Sequence, residues 1–205
     1  MIKDKYYKPF SIPSILFLIS GIVFIITAYN SNGYFYPDEH FQIIEFARWK
    51  MGICTPEAIP WELPANIRPT LQPIITLIIF NALEFCGLTN PFILALLLRI
   101  IMMLTIMYSV YYFINQTLSE ILPKQKNAYI ALSYLLWFIP YISVRYSSET
   151  MSAAFLLLAV GMICRMTDTK LHIPVLKSIT IGILLGFSFE FRYQIIFAVI
   201  GLLCW

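Results

Sequence analysis

Two carboxylates side by side at the end of an apolar segment could take a proton from a substrate. Asp38 and Glu39 stand in Tyr36-Pro37-Asp38-Glu39-His40-Phe41-Gln42, after an apolar run over 12–29. Ionisable groups at membrane depth are costly, so each is a candidate for function. The structural alternative has Asp38 capping the helix that follows, where the helix dipole favours negative charge. The two roles are compatible, because the same dipole keeps a carboxylate ionised at neutral pH. Glu149 stands in Arg145-Tyr146-Ser147-Ser148-Glu149-Thr150, where Ser147 or Ser148 could start another helix. Arg192, in Phe189-Glu190-Phe191-Arg192-Tyr193-Gln194, is either a cation for a phosphate or a partner for Glu190. Arg68 and Arg99 are open between structural pairing and anion binding. His40 and Gln42, from the same run as the acid pair, complete the candidate substrate-binding set.

Several chemistries lack their parts. Cys54, Cys86, Cys164 and Cys204 have neither metal-ligand nor redox spacing. No glycine-rich nucleotide loop and no cluster of metal ligands occur, so neither cofactor nor metal is expected. The net charge of +3 is small, and nucleic-acid binding has no support.

The elements that must position these residues are membrane helices. The chain of 205 residues is 60% hydrophobic and only 12% charged, with a mean hydropathy of +0.77. Soluble domains carry about 25% charged residues. Apolar segments lie near 12–29, 71–86, 92–114, 129–144, 150–166, 178–190 and 194–205. Crossing a hydrocarbon core takes roughly 20 apolar residues, and a helix satisfies its own backbone there. The expected fold is therefore all-α, a multi-pass transmembrane helical bundle. The first apolar run is too long for a signal peptide and lacks a small-residue cleavage site, so it reads as an uncleaved membrane helix. The last run reaches Trp205 without a polar tail, as in a chain cut inside a membrane domain.

The stretch 30–70 is polar, aromatic and rich in proline, with aromatics suited to the membrane interface. Residues 38–50 read as a short amphipathic helix, with Phe41, Ile44 and Trp49 on one side and Glu45 and Arg48 at i,i+3. If 71–86 crosses the membrane, most basic residues fall outside, against the usual cytoplasmic excess. If it is re-entrant or interfacial, Lys3, Lys5, Lys8, Lys124, Lys126, Arg165, Lys170 and Lys177 all lie inside. Pro69, Pro73, Asn81 and Glu84 also make it a poor plain span. The second topology makes 30–91 one external loop. It brings Asp38–Glu39, Arg145–Glu149 and Glu190–Arg192 to a single face of the membrane. The sequon at Asn115 falls inside and is expected to carry no glycan. Gly182, Gly186 and Ser188 read as small residues for close helix packing.

Taken together, these residues resemble the GT-C superfamily of membrane glycosyltransferases, and within it glycosyltransferase family 22. That family has a His-Pro-Asp-Glu-His-Phe-Gln stretch, a Glu three residues on, a Trp-Glu, and an Ile-Arg-Ser stretch before a proline. This chain has Pro37-Asp38-Glu39-His40-Phe41-Gln42, Glu45, Trp61-Glu62, and Ile67-Arg68-Pro69 with Pro73. A later Ser-x-x-Glu-Thr stretch is similar to Ser147-Ser148-Glu149-Thr150. Tyr36 stands where the family has histidine, and Pro69-Thr70 where it has Ser-Tyr.

The resemblance implies a single membrane domain over 1–205, the N-terminal part of a GT-C module with the C-terminal half of the family fold absent. It implies a mannosyltransferase taking its hexose from a polyprenyl- or dolichol-phosphate donor, with inversion, for a glycan or glycolipid acceptor. It also implies Asp38 as general base, Glu39 in support, an acidic second-loop role for Glu149, and a lipid-phosphate contact for Arg192. The place would be a bacterial inner membrane or endoplasmic reticulum membrane, with the N-terminus cytoplasmic and the site periplasmic or lumenal. The alternative class is a non-catalytic multi-pass protein, such as a transporter fragment, which would place its acids mid-helix and carry an internal repeat. The topology has a direct test. A cysteine at Gln125, with the four native cysteines replaced by serine, is expected to label only from the cytoplasmic side. Labelling from outside would reject the arrangement.

Overall fold

The computed structural model of the chain describes residues 14–33, 37–59, 65, 69–167 and 175–204, and among them every regular element is a helix. Helix α1 covers Ser14–Asn30. Helix α2 is three helical segments end to end: Pro37–Glu39, a π-turn at His40–Ile44, and Glu45–Lys50. Then follow α3 (Leu71–Phe85), α4 (Pro91–Thr117), α5 (Lys126–Leu135) and α6 (Ile139–Ser143). The last three are α7 (Ser148–Thr167), α8 (Val175–Phe191) and α9 (Ile196–Cys204).

Two described helices are long and apolar enough to cross a membrane, at Pro91–Thr117 and Ser148–Arg165. At 1.5 Å per residue, α4 spans about 40 Å, more than a hydrocarbon core of about 30 Å. Its start has a local cause: Asn90 Oδ1 accepts from the Phe92 N–H at 2.9 Å, and Pro91 fills the first position, where no N–H is required. Phe85, Phe92, Trp137 and Phe197 are all more than three quarters exposed. Such an apolar outer surface suits lipid and not water. The apolar segment 129–144 is not one helix. Pro140 lacks an N–H and its ring opposes the carbonyl four residues back, so α5 stops at Leu135 and α6 begins anew.

The core is built on α4, which packs on α1 and along α7, while α7 packs along α8. Phe24 and Ala28 of α1, Leu98 and Met102 of α4, and Ile130 and Tyr134 of α5 are all buried there. The α7–α8 contact holds a reciprocal polar clasp. Ser152 Oγ donates to Ser188 O at 2.7 Å, and Ser188 Oγ to Ser152 O at 2.9 Å. Ser188 thus packs as expected, but Gly182 and Gly186 do not: a Cβ on either meets nothing within 4 Å. Close approach occurs instead at Gly161 of α7, where a Cβ would lie 3.2 Å from the Tyr112 ring and 3.4 Å from the Phe113 backbone. A Gly161→Leu variant is expected to lose about 1–3 kcal/mol of stability through overpacking. Gly182→Leu should melt like the wild type. Thermal unfolding in detergent compares them, and equal melting temperatures would contradict this packing.

Candidate active site

The site begins at the C-terminal end of α1. The last carbonyls of a helix have no intrahelical partner and carry partial negative charge. Arg99 of α4 donates from Nη1 to Ala28 O at 3.3 Å, and its Nη2 reaches Gly33 O at 3.5 Å. Arg145, between α6 and α7, donates from Nη1 to the same Gly33 O at 3.1 Å and from Nη2 to the Tyr141 hydroxyl at 2.9 Å. Gly33 has φ +73°, a left-handed conformation that any side chain would strain. The chain leaving α1 is thus turned by a glycine and held by two guanidinium groups.

Arg145 also fixes the start of α2. Its Nη1 lies 3.9 Å from Glu39 Oε2, and the two residues are only 5% and 7% exposed. Glu39 heads the buried stripe of α2, followed by Ile43, Phe46 and Ala47 at helical spacing. The expected stripe of Phe41, Ile44 and Trp49 is not the buried one: Phe41 is exposed, and Ile44 and Trp49 are half-buried. Asp38 is half-buried and lies inside the first turn, not before it as a cap. Four residues on, Gln42 and its neighbour Ile43 line a narrow crevice whose other walls include Ser148, Arg192, Pro69 and Pro73. The spacing of four puts Asp38 on the same face of α2 as Gln42.

Across that crevice, Arg192 Nη2 pairs with Glu149 Oε1 at 2.9 Å, and Arg192 Nε donates to Gln194 Oε1 at 2.7 Å. Arg192 therefore pairs with Glu149 rather than Glu190. Ser147 caps α7, accepting from the Thr150 N–H at 3.2 Å, which leaves the Glu149 carboxylate for Arg192. The structure brings Gln42 beside the Glu149–Arg192 pair, joining three distant stretches.

Other candidates lie on the far side of α2. Glu45 Oε1 is 3.0 Å from His40 Nε2 and 3.2 Å from Arg48 Nη1. His40, Arg48 and Glu84 line a groove of about 360 Å³ between α2, α3 and α4. It shares the walls His40, Ile44, Pro91 and Ala95 with a cavity of about 190 Å³ that reaches Glu39, Arg99 and Tyr146. Burial pushes the Tyr146 phenol above its ordinary pKa, and the Thr76 hydroxyl 3.4 Å away opposes that rise. Arg68, with Tyr36, Trp61 and Glu62, lies outside the described residues. Among the described residues, no three His, Cys, Asp or Glu side chains converge to hold a metal. Sequence reasoning missed Arg145 as a site residue. Its signal was an arginine within an apolar stretch, which demands a partner.

The model of the Alg9-like mannosyltransferase family matches residues 15–205. The chain belongs to that family. No curated protein and no solved structure matches the chain. As an Alg9-like mannosyltransferase it is a membrane-associated glycosyltransferase, acting on a sugar donor and a glycan acceptor. In this family member Glu39 turns inward to Arg145, while Asp38 is half-buried in the same turn of α2. Arg145→Met is expected to cost about 3–5 kcal/mol, because it takes a buried cation away from Glu39. Glu39→Gln added to Arg145→Met should recover part of that loss. The check is thermal unfolding of the two single variants and the double variant. Strict additivity of their effects would deny the coupling.

Proposed function

We propose that the chain transfers a mannosyl residue from a polyprenyl- or dolichol-phosphate donor to a hydroxyl of a glycan or glycolipid. Asp38 acts as general base and Arg192 holds the phosphate. What supports this reading is the helical spacing between Asp38 and Gln42, which lines one crevice with Arg192. The acceptor oxygen attacks the anomeric carbon, its proton passes to the Asp38 carboxylate, and the bond from that carbon to the phosphate oxygen breaks. The bonding pair leaves with the polyprenyl phosphate. A carboxylate at about 2.6–3.2 Å is enough to take the proton. The growing phosphate charge needs a fixed cation, and a guanidinium suits it by planar geometry and permanent charge.

A single displacement inverts the anomeric centre. Glu149, paired with Arg192 in the resting protein, holds the guanidinium in place and yields part of it to the incoming phosphate. Glu39 supports the base by fixing the rotation of α2. His40 and Arg99 remain candidates for binding the rest of the substrates from the other side of α2, and Arg68 remains a candidate for an anion contact. The chain does this as a multi-pass protein of the lipid bilayer, with the N-terminus cytoplasmic and the site on the periplasmic or lumenal side. Residues 30–91 form the external catalytic loop. The family match, the exposed apolar helices and the distribution of basic residues support this placement.

The test is transfer of radiolabelled mannose from polyprenyl-phosphate mannose to membrane glycolipid acceptors by the reconstituted protein. Asp38→Asn is expected to lower kcat by about 10²–10⁴ with little change in the donor KM, as for loss of a general base. Transfer by Asp38→Asn at the wild-type rate would end its assignment as the base.

A further inference from the structure

Buried Gln72 and half-buried Ser148 form a polar pair that the proton transfer above does not use. Gln72, in the first turn of α3, is 2% exposed. Its Oε1 accepts from Ser148 Oγ at 2.9 Å, and its Nε2 has no partner. An unpaired buried amide donor costs about 1–3 kcal/mol, and native interiors hold few of them. Helix ends do not account for the pair, because Ser147 already caps α7. Gln72 and Ser148 are 76 positions apart, so the contact is a deliberate one between α3 and α7.

The orientation of the Ser148 hydroxyl follows from this. A serine has one hydrogen to donate, and here it goes to Gln72. The lone pairs of Ser148 Oγ are what remain, and Ser148 lines the crevice that holds Gln42 and Arg192. The free space there is about 10 Å³, room for a single oxygen the size of a water. An acceptor oxygen repels a phosphate oxygen but takes a hydrogen bond from a hydroxyl. The crevice therefore admits one hydroxyl oxygen to Ser148, while a phosphate reaches the Arg192 guanidinium from its exposed side. A sugar joined through its anomeric oxygen to a phosphate presents those two groups next to each other.

We infer that Ser148, oriented by Gln72, accepts a hydrogen bond from one ring hydroxyl of the transferred sugar. This rests on the reading of a lipid-phosphate donor held by Arg192. Ser148 is then a substrate-binding residue, and Gln72 a positioning residue that acts through it. The unpaired Gln72 Nε2 is the cost of holding that hydroxyl in the accepting sense.

Binding to the full chain in nanodiscs tests this with two probes, polyprenyl-phosphate mannose and polyprenyl phosphate without sugar. Ser148→Ala and Gln72→Leu are each expected to weaken the sugar-bearing lipid about 5–10-fold, the worth of one hydrogen bond. Neither should change binding of bare polyprenyl phosphate. Gln72→Glu keeps an acceptor for the Ser148 hydroxyl and should retain the wild-type preference for the sugar. Arg192→Gln should weaken both lipids alike. Equal weakening of both lipids by Ser148→Ala, or no change in either, would overturn the inference. Wild-type protein that binds neither lipid would overturn the donor assignment and this inference with it. The assay needs neither acceptor nor Asp38 chemistry, so its failure is separable from a failure of transfer. Melting temperatures of the variants confirm that each is folded.

Discussion

Everything near the acid pair depends on where the buried guanidinium of Arg145 finds its partners. A charge taken out of water is expensive unless it is paired and hydrogen-bonded. Arg145 meets most of that demand with the Gly33 carbonyl, the Tyr141 hydroxyl and the Glu39 carboxylate, and only its Nε has no hydrogen-bond partner. These belong to the end of α1, the short helix α6 and the first turn of α2. Apolar surfaces orient helices weakly in lipid, because the tails are as apolar as the side chains. Matching one buried charge is therefore what orients these three segments. Arg99 adds a second cation at the same helix end, so that α4 joins the junction.

Rotation of α2 is the main consequence. Neighbouring residues of a helix point about 100° apart. With Glu39 drawn to Arg145, Asp38 lies about 100° round the helix from it, one turn before Gln42. Two adjacent carboxylates that look redundant thus take different work. One is paired inside the fold, and the other is the base in the proposed reaction. The π-turn directly after them widens the helix at His40–Ile44, a local irregularity that often accompanies functional sites. The second face of α2 keeps its own groove, with Glu45 held between His40 and Arg48.

Much of the helix content was legible because long apolar runs admit only helices in lipid. The meeting of Glu149 with Arg192 was legible too, from a topology that puts both at one face of the membrane. What failed did so where the partner, and not the segment, decides. Phe41, Ile44 and Trp49 fit an ideal amphipathic stripe, but the π-turn and the pull of Arg145 on Glu39 bury Ile43, Phe46 and Ala47 instead. Gly182 and Gly186 match a small-residue pattern. Yet the α8 face that meets α7 is set by Ser188, and a residue two positions away points to the opposite side. Gly161 carries no pattern at all, and only the Tyr112 ring against it reveals its role. Arg145 was visible as a charge, but its partners lie up to 112 positions away and leave no local trace. Arg68 and the Trp61–Glu62 stretch lie outside the described residues, and their part in the site rests on the family pattern.

The central claim is that the donor phosphate docks on the Asp38 face of α2. An experimental structure of the protein with polyprenyl-phosphate mannose bound tests it most directly. The account expects a phosphate oxygen within hydrogen-bond distance of the Arg192 guanidinium, and the anomeric carbon on the same side of α2 as the Asp38 carboxylate. A phosphate seated instead in the groove of His40 and Arg48, with Arg192 still joined only to Glu149, would contradict it.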